Sequence, residues 1–417
     1  MPRALLLENV DPVAVERLSS AGYEVETLRG ALDEADLVAA LEGVDVLGIR
    51  SKTQVTAGVL RRRPGLAAVG AFCIGTNQID LAAAAAAGVA VFNAPYSNTR
   101  SVVEMAIAEI ICLARRLVDR DRALHAGTWD KSAAGSHEIR GRTLGIVGYG
   151  NIGSQLSVLA EALGMRVLFY DLEDKLALGN AEACGTLEEL LERAETVTLH
   201  VDGRAGNAGL FGAEQFARMR RRSLFLNLSR GFVVDHEALR DHILSGHIAG
   251  AAVDVFPDEP REQGDPFASV LRGLPNVILT PHVGGSTQEA QRDIGRFVAG
   301  KLVDYTGAGT TTLSVNFPAV ALHASSAARF GLLHSNVPGV LARVDALVGE
   351  HGLNVDGQVL ATRGQLGYVV TDVNGDMPAA LLASLRALPE TVRLMTCPGA
   401  EVRKAEMRQV SVDTLGL

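Results

Sequence analysis

The first hundred residues alternate short apolar runs with amphipathic stretches. Runs at 4–7, 44–49, 66–71 and 89–92 have the length and composition of buried strands, while 13–21, 35–41 and 81–87 space their apolar residues for helices. The pattern predicts repeated β-α units. The alanine-rich run 82–87 lies between Asp80 and Gly88 and reads as a tightly packed helix closed by a glycine cap. Beyond Asn98, Ser101-Val102-Val103-Glu104 has the Ser-x-x-Glu form of a capping box and predicts the start of a long helix through 105–113. Six further strand-like runs follow, at 144–147, 166–170, 196–201, 224–228, 249–253 and 277–279. Such runs, separated by helical stretches, predict a parallel sheet covered on both faces.

Helical periodicity fades after Tyr305, and Gly, Thr, Ala and Ser dominate 300–328, which reads as a helix end followed by a linker at 316–328. A new pattern begins at Arg329: strand 329–333, helix 338–350, strands 353–361 and 366–372, helix 377–388 and strand 391–395. That is the ferredoxin-like βαββαβ order. Pro398-Gly399 breaks the last strand and leaves 398–417 as a loosely ordered tail with no function assigned to it.

A chain of 417 residues, 47% hydrophobic, is too long for one ordinary core and predicts two or three domains. No uninterrupted apolar run reaches membrane-spanning length, and the first residues lack the form of a signal peptide, so a cytoplasmic location is expected. The net charge of −9 is spread without a long basic run, which disfavours nucleic acid and anionic membrane as partners. An anionic substrate would therefore need a locally basic pocket. Cys73, Cys112, Cys184 and Cys397 are far apart and form no Cys-x-x-Cys pair, so they read as buried or incidental thiols. No metal-ligand spacing stands out.

Chemistry is concentrated after residue 140. Gly148, Gly150 and Gly153 form Gly-x-Gly-x-x-Gly directly after a predicted strand and open a predicted helix, while Asp171 ends the next strand. The glycines would allow a tight turn, approach to a pyrophosphate and close helix packing, and Asp171 would bind a ribose hydroxyl. Leu172, Glu173 and Asp174 follow it, surroundings that repel a 2′-phosphate and favour NAD over NADP.

Three other predicted strands end in polar residues: Ser229-Arg230-Gly231, the stretch carrying Asp254 and Glu259, and Pro281-His282. Ligands of open parallel sheets bind beyond such strand ends. Arg230 can fork onto a carboxylate, His282 can move a proton in either direction near neutral pH, and Glu259 can hold the imidazole. Each alone also reads as a surface histidine or a simple ion pair. Their joint placement points to hydride transfer on a 2-hydroxy or 2-oxo acid.

With "GYGNIG", "NLSRGFVVD", "DVFPDEP", "TPHVGGSTQEAQ", "RSKT" and "APYSNTRS", nearly the whole chain resembles the D-2-hydroxyacid dehydrogenase family, in its short type ending in an ACT domain. The resemblance implies a Rossmann-like nucleotide domain, 98–285, inserted in a discontinuous flavodoxin-like substrate domain, 1–97 plus 286–315, with a hinged cleft at their junction. A ferredoxin-like ACT domain, 329–397, would follow. It makes Arg230, Glu259 and His282 the catalytic set. It adds cofactor contacts at Asn151, Ile152, Leu228, Ser229, Arg230, Asp254 and His282, Val283, Gly284 and Gly285.

The implied reaction is oxidation of 3-phospho-D-glycerate to 3-phosphohydroxypyruvate in L-serine biosynthesis, by a homo-oligomer. Arg50, Ser51, Asn98 and Gln291 would contact substrate, with Arg29 and Lys131 as further cationic candidates. Trp129 and Lys131 would act across a subunit interface. His334 and Asn336, with Asn354 of a paired subunit, would bind L-serine as feedback effector. In "LNVDGQ" the carboxylate of Asp356 departs from that pattern. Asp202-Gly203 stands where the family carries a proline, a change expected to alter the adenine-side loop without touching the catalytic trio. Rival readings are the same chemistry on another 2-hydroxy acid (2-hydroxyglutarate, glycerate or glyoxylate) and an NAD-sensing interaction protein without turnover.

Overall fold

A computed structural model describes residues 1–260, 264–323 and 328–397. The expected tail at 398–417 and residues 324–327 of the expected linker lie outside these. The chain divides into one unit of residues 1–97 with 291–417 and a second of 98–290.

The first unit contains two sheets. Strands β1 (Arg3–Leu6), β2 (Glu24–Thr27), β3 (Val46–Ile49), β4 (Ala68–Ala71) and β5 (Ala90–Phe92) pair in parallel in the order β2-β1-β3-β4-β5, which is flavodoxin-like. Ile294, Val298, Ala299, Leu302 and Tyr305, on the helix Gln288–Ala308, share a buried cluster with Ala4, Leu6, Phe72 and Phe92. Their i, i+4 spacing puts one apolar stripe on the sheet. Strand β2 was not legible in the sequence because Glu24, Glu26 and Thr27 leave this edge exposed. Asn316, the first residue of the expected linker, accepts from the Val91 N–H at 2.9 Å and donates to the Val89 carbonyl at 2.8 Å. Its side chain thereby pins that segment to β5.

In the second unit β6 (Thr143–Val147), β7 (Arg166–Tyr170), β8 (Glu182–Ala183), β9 (Thr196–Leu199), β10 (Ser223–Asn227), β11 (Ile248–Val253) and β12 (Val277–Leu279) run parallel. Their order, β12-β11-β10-β9-β6-β7-β8, is the doubly wound order, with its switch point between β6 and β9. The helix Thr99–Arg115 lies against this sheet, with Val103, Ala106, Ile110 and Leu113 in one cluster with Leu226, Leu228 and Ala252. The expected capping box is absent. The helix starts at Thr99, Ser101 Oγ instead meets Thr287 Oγ1 at 2.8 Å, and Glu104 takes Arg100 at 2.6 Å. A long-range hydroxyl partner has displaced the local cap.

The C-terminal sheet of the first unit is antiparallel: β13 (Ala328–Ser335), β14 (Val355–Arg363), β15 (Leu366–Val373) and β16 (Thr391–Cys397), in the order β14-β15-β13-β16. With the helices Val340–Glu350 and Ala379–Ala387 it forms the expected βαββαβ arrangement. Arg329 forks onto Asp372 at 2.6 and 2.8 Å, and its remaining donors reach the carbonyls of Ala308, Leu322 and His323. Both charges are buried. Removing one partner strands the other, so Arg329→Met is expected to lower unfolding free energy by about 3 kcal/mol, and Arg329→Met with Asp372→Leu by less. Urea unfolding of the two variants tests this.

Candidate active site

The turn after β6 is built by steric exclusion. Gly148 has φ +91°, and a Cβ there would sit 2.7 Å from the His200 carbonyl oxygen; a Cβ on Gly153 would lie 2.3 Å from the Gly148 oxygen. Both positions admit only glycine. Around Gly150, by contrast, nothing lies within 4 Å of the same point. It is the N-cap of the helix Asn151–Ala162, so open space adjoins a helix N-terminus whose first N–H groups are available to an anion. Asp171 follows β7, and its carboxylate accepts from the Tyr149 N–H at 2.7 Å and the Glu173 N–H at 3.0 Å. These bonds fix the carboxylate beside the turn while leaving lone pairs for a diol. Tyr149 stiffens the turn from below, stacked on Phe169 and bonded to Ser157 Oγ at 2.7 Å. The surroundings fit a dinucleotide: Gly150, Asn151 and Ile152 at the pyrophosphate and Asp171 at the ribose.

Three strand ends carry the remaining polar groups. Asn227, at the end of β10, accepts from Ser229 N–H and Oγ at 3.1 and 2.8 Å and donates to the Arg230 carbonyl at 3.1 Å. This buried amide shapes the turn that presents Arg230, and it was not singled out in the sequence. Arg230 donates to the Ser229 carbonyl at 2.7 Å. Gly231 packs so closely on the next strand end that a Cβ would lie 2.0 Å from the Phe256 carbonyl carbon.

Asp254, beyond β11, is 2% exposed. Its carboxylate accepts from Thr280 Oγ1 at 2.6 Å and from the Val283 and Gly284 N–H groups at 2.9 Å each. It therefore holds the loop that carries His282. His282 itself has φ +56°, an uncommon conformation for a residue with a Cβ, stabilised here by those bonds.

His282 Nδ1 lies 2.9 and 3.0 Å from the two Glu259 oxygens. Paired in this way, Nδ1 carries the proton and Nε2 is left for chemistry. The Glu259 hydrogen bond raises the imidazole pKa above its ordinary value, against the opposing effect of burial. Burial pushes the Glu259 carboxyl up, but hydrogen bonds from His282 and the Phe256 N–H outweigh it and leave the carboxyl below the usual range. The Arg230 charge is felt at both groups, so the three residues singled out from separate stretches come together within this unit.

The structure corrects one expectation. A Cβ on Gly203 would lie 3.3 Å from Arg230 Nε, and Arg230 also helps lower the Asp202 pKa, chiefly depressed by its hydrogen bonds to Arg204. The Asp202-Gly203 turn thus backs directly onto Arg230. Asp202 chelates Arg204 and accepts from Asn207, so its charge is already partnered. His200, beside the switch point, was also missed; burial pushes its pKa down to about 4, and Nδ1 has no partner among the described residues.

The other candidate residues are more dispersed. Asn98 caps the helix Thr99–Arg115 in position only, with a buried Oδ1 lacking a partner among the described residues. Lys131, with exposed Trp129, lines a cavity beside the helix Leu117–His125 in the same unit. Arg29, Arg50, Ser51 and Gln291 belong to the first unit. In that unit His334 is buried, its Nδ1 2.9 Å from the Ser335 carbonyl, while Asn336 and Asn354 are exposed.

The doubly wound sheet, glycine turn and Arg-Glu-His set define a nicotinamide-dependent dehydrogenase of 2-hydroxy acids. Residues 107–284 match the D-isomer specific 2-hydroxyacid dehydrogenase NAD binding domain, and residues 330–393 match the AHAS small subunit-like ACT domain. The chain belongs to the D-2-hydroxyacid dehydrogenase family and uses NAD. Its relatives include the D-3-phosphoglycerate dehydrogenase of Escherichia coli K12, 48% identical over 93% of this chain and 96% of that one. The D-3-phosphoglycerate dehydrogenase of Dictyostelium discoideum is 45% identical over 94% and 96%. Among solved structures, the TT0316 protein of Thermus thermophilus is 31% identical with a TM-score of 0.65, covering 72% of this chain and 96% of that one.

Proposed function

We propose that this chain oxidises 3-phospho-D-glycerate to 3-phosphohydroxypyruvate with NAD, in the pathway to L-serine. The observation that carries the reaction type is the Glu259–His282 pair at 2.9 Å with Arg230 in electrostatic reach of both. Nearly full-length similarity to two proteins named D-3-phosphoglycerate dehydrogenase supports the substrate. Arg230 binds the substrate carboxylate through its guanidinium fork, and His282 Nε2 takes the hydroxyl proton while Glu259 stabilises the imidazolium. Bound NAD would supply the acceptor for the hydride that leaves the hydroxyl-bearing carbon. Leu228, Ser229, Asp254 and the 282–285 loop would hold the cofactor, and within the same unit Asn98 and Lys131 would meet the substrate.

The enzyme is a cytoplasmic homo-oligomer in this reading. Its ACT domain binds L-serine through His334, Asn336 and a partner copy's Asn354; among the described side chains, the buried Nε2 of His334 has no partner of its own, which suits a ligand. The test is NADH oxidation by purified protein with 3-phosphohydroxypyruvate, against glyoxylate, hydroxypyruvate and 2-oxoglutarate, with and without serine. Selective turnover that serine suppresses is expected. Preference for another acid would overturn the substrate, and indifference to serine would overturn the effector.

A further inference from the structure

Beneath the His282 loop lies a carboxyl group that the reaction, as described, does not use. Glu109, on the helix Thr99–Arg115, is 5% exposed, and neither of its oxygens has a hydrogen-bond partner among the described residues. It lies on the stripe 102–105–109 of that helix. Val102 and Met105 of this stripe come within 3.7 Å of the position a Cβ on Gly284 would take, so the same face supports the loop.

The core that this helix helps to build is apolar: Val103, Ala106, Ile110 and Leu113 share a buried cluster with Leu226, Leu228, Ala252 and Leu156, with Ile278 partly buried against it. The titratable groups facing it are Asp254, beyond β11, and Cys112, one turn along its own helix. Asp254 is already engaged in holding Thr280, Val283 and Gly284. Two neighbouring carboxylates, one of them buried with no hydrogen-bond donor among the described residues, cannot both be ionised at low cost. Asp254 has three donors and Glu109 has none, so the charge belongs on Asp254.

We propose that Glu109 is a positioning residue for His282: as a neutral acid it leaves Asp254 free to grip the 280–284 loop, and its ionisation loosens that grip. Burial first, and the Asp254 charge second, raise its pKa to about 8, which puts the transition in an accessible range. The inference rests on His282 as the proton carrier only for its kinetic consequence; the state of Glu109 and of the loop can be read without turnover.

The experiment combines a pH profile with two readouts on the full-length protein. In the oxidative direction wild-type kcat/KM divided by that of Glu109→Gln, a quotient in which the rising His282 limb cancels, should fall about tenfold from pH 7 to pH 9 as a single group near pH 8 ionises. Glu109→Gln, fixed in a neutral form, should itself lack that alkaline fall. An infrared difference spectrum of wild type minus Glu109→Gln should contain a protonated-carboxyl band at pH 7 that is lost by pH 9. Hydrogen exchange at the Val283 and Gly284 amides of the wild type, corrected for intrinsic rates, should accelerate across the same range, a test that holds even if the variant folds poorly. An unchanged alkaline limb in Glu109→Gln, no such band at pH 7, or pH-independent protection of the two amides would each overturn the proposal. Loss of all turnover with the band and exchange behaviour intact would instead count against the catalytic reading.

Discussion

Replacing His282 with asparagine is expected to lower kcat by about 10³-fold in both directions while changing NADH affinity by less than about threefold. The loop is held through the backbone, by the Val283 and Gly284 N–H groups on Asp254, so losing the imidazole does not release it. What is lost is the group proposed to take the hydroxyl proton. Stopped-flow hydride transfer and NADH fluorescence titration separate the two effects; an unchanged kcat would remove His282 from the chemistry.

Glu259→Gln tests the same pair through pH. Oxidation requires neutral imidazole, so its rate climbs as pH rises through the His282 pKa; reduction requires the protonated form and declines over the same range. In the wild type the Glu259 carboxylate raises that pKa above the ordinary histidine value. An uncharged glutamine removes the stabilisation of imidazolium, and both limbs should move to lower pH. Limbs that stay in place would mean that Glu259 orients the ring without tuning it.

Much of this site was legible in the sequence because its residues sit where periodic runs stop. Gly148, Asp171, Arg230, Asp254 and His282 all fall at or just past the ends of strands that apolar patterning locates, and in a parallel sheet those ends share one edge. The unread parts depend on contacts that patterning does not encode. Asn227 looks like another strand residue until its amide is seen bridging Ser229 and Arg230. Glu109 looks like a polar interruption in an apolar helix, and only its burial within electrostatic reach of Asp254 gives it meaning. Ser101 misled because a capping box is a local rule, overridden by a hydroxyl 186 residues away. Gly203 misled differently: its importance lies in what it keeps out of the way of Arg230.

Gly231 is the sharpest case of a residue defined by exclusion, and Gly231→Ala is expected to reduce kcat/KM by about 10³-fold while lowering stability by more than about 3 kcal/mol. A Cβ at this position would lie 2.0 Å from the Phe256 carbonyl carbon, 2.1 Å from its oxygen and 2.5 Å from Pro257 N. All three contacts are backbone atoms, so no rotamer change relieves them. One segment must shift by roughly an ångström or more to restore van der Waals separation, and both carry groups to which we assign catalytic roles. Arg230 precedes Gly231 directly, while the Phe256 N–H donates to Glu259 at 3.1 Å and so orients the His282 partner. The displacement separates the carboxylate fork from the proton carrier, and misplacement on that scale is costly in rate. The proposed pyrophosphate and ribose contacts at Gly148, Gly150 and Asp171 lie on other strand ends, whereas those at Leu228 and Ser229 move with Arg230, so NADH binding should weaken, but by less than turnover. Chemical denaturation, steady-state kinetics and NADH titration on the same preparation read all three quantities. Near-normal kcat/KM in a folded Gly231→Ala protein would mean that the two strand ends are not rigidly coupled.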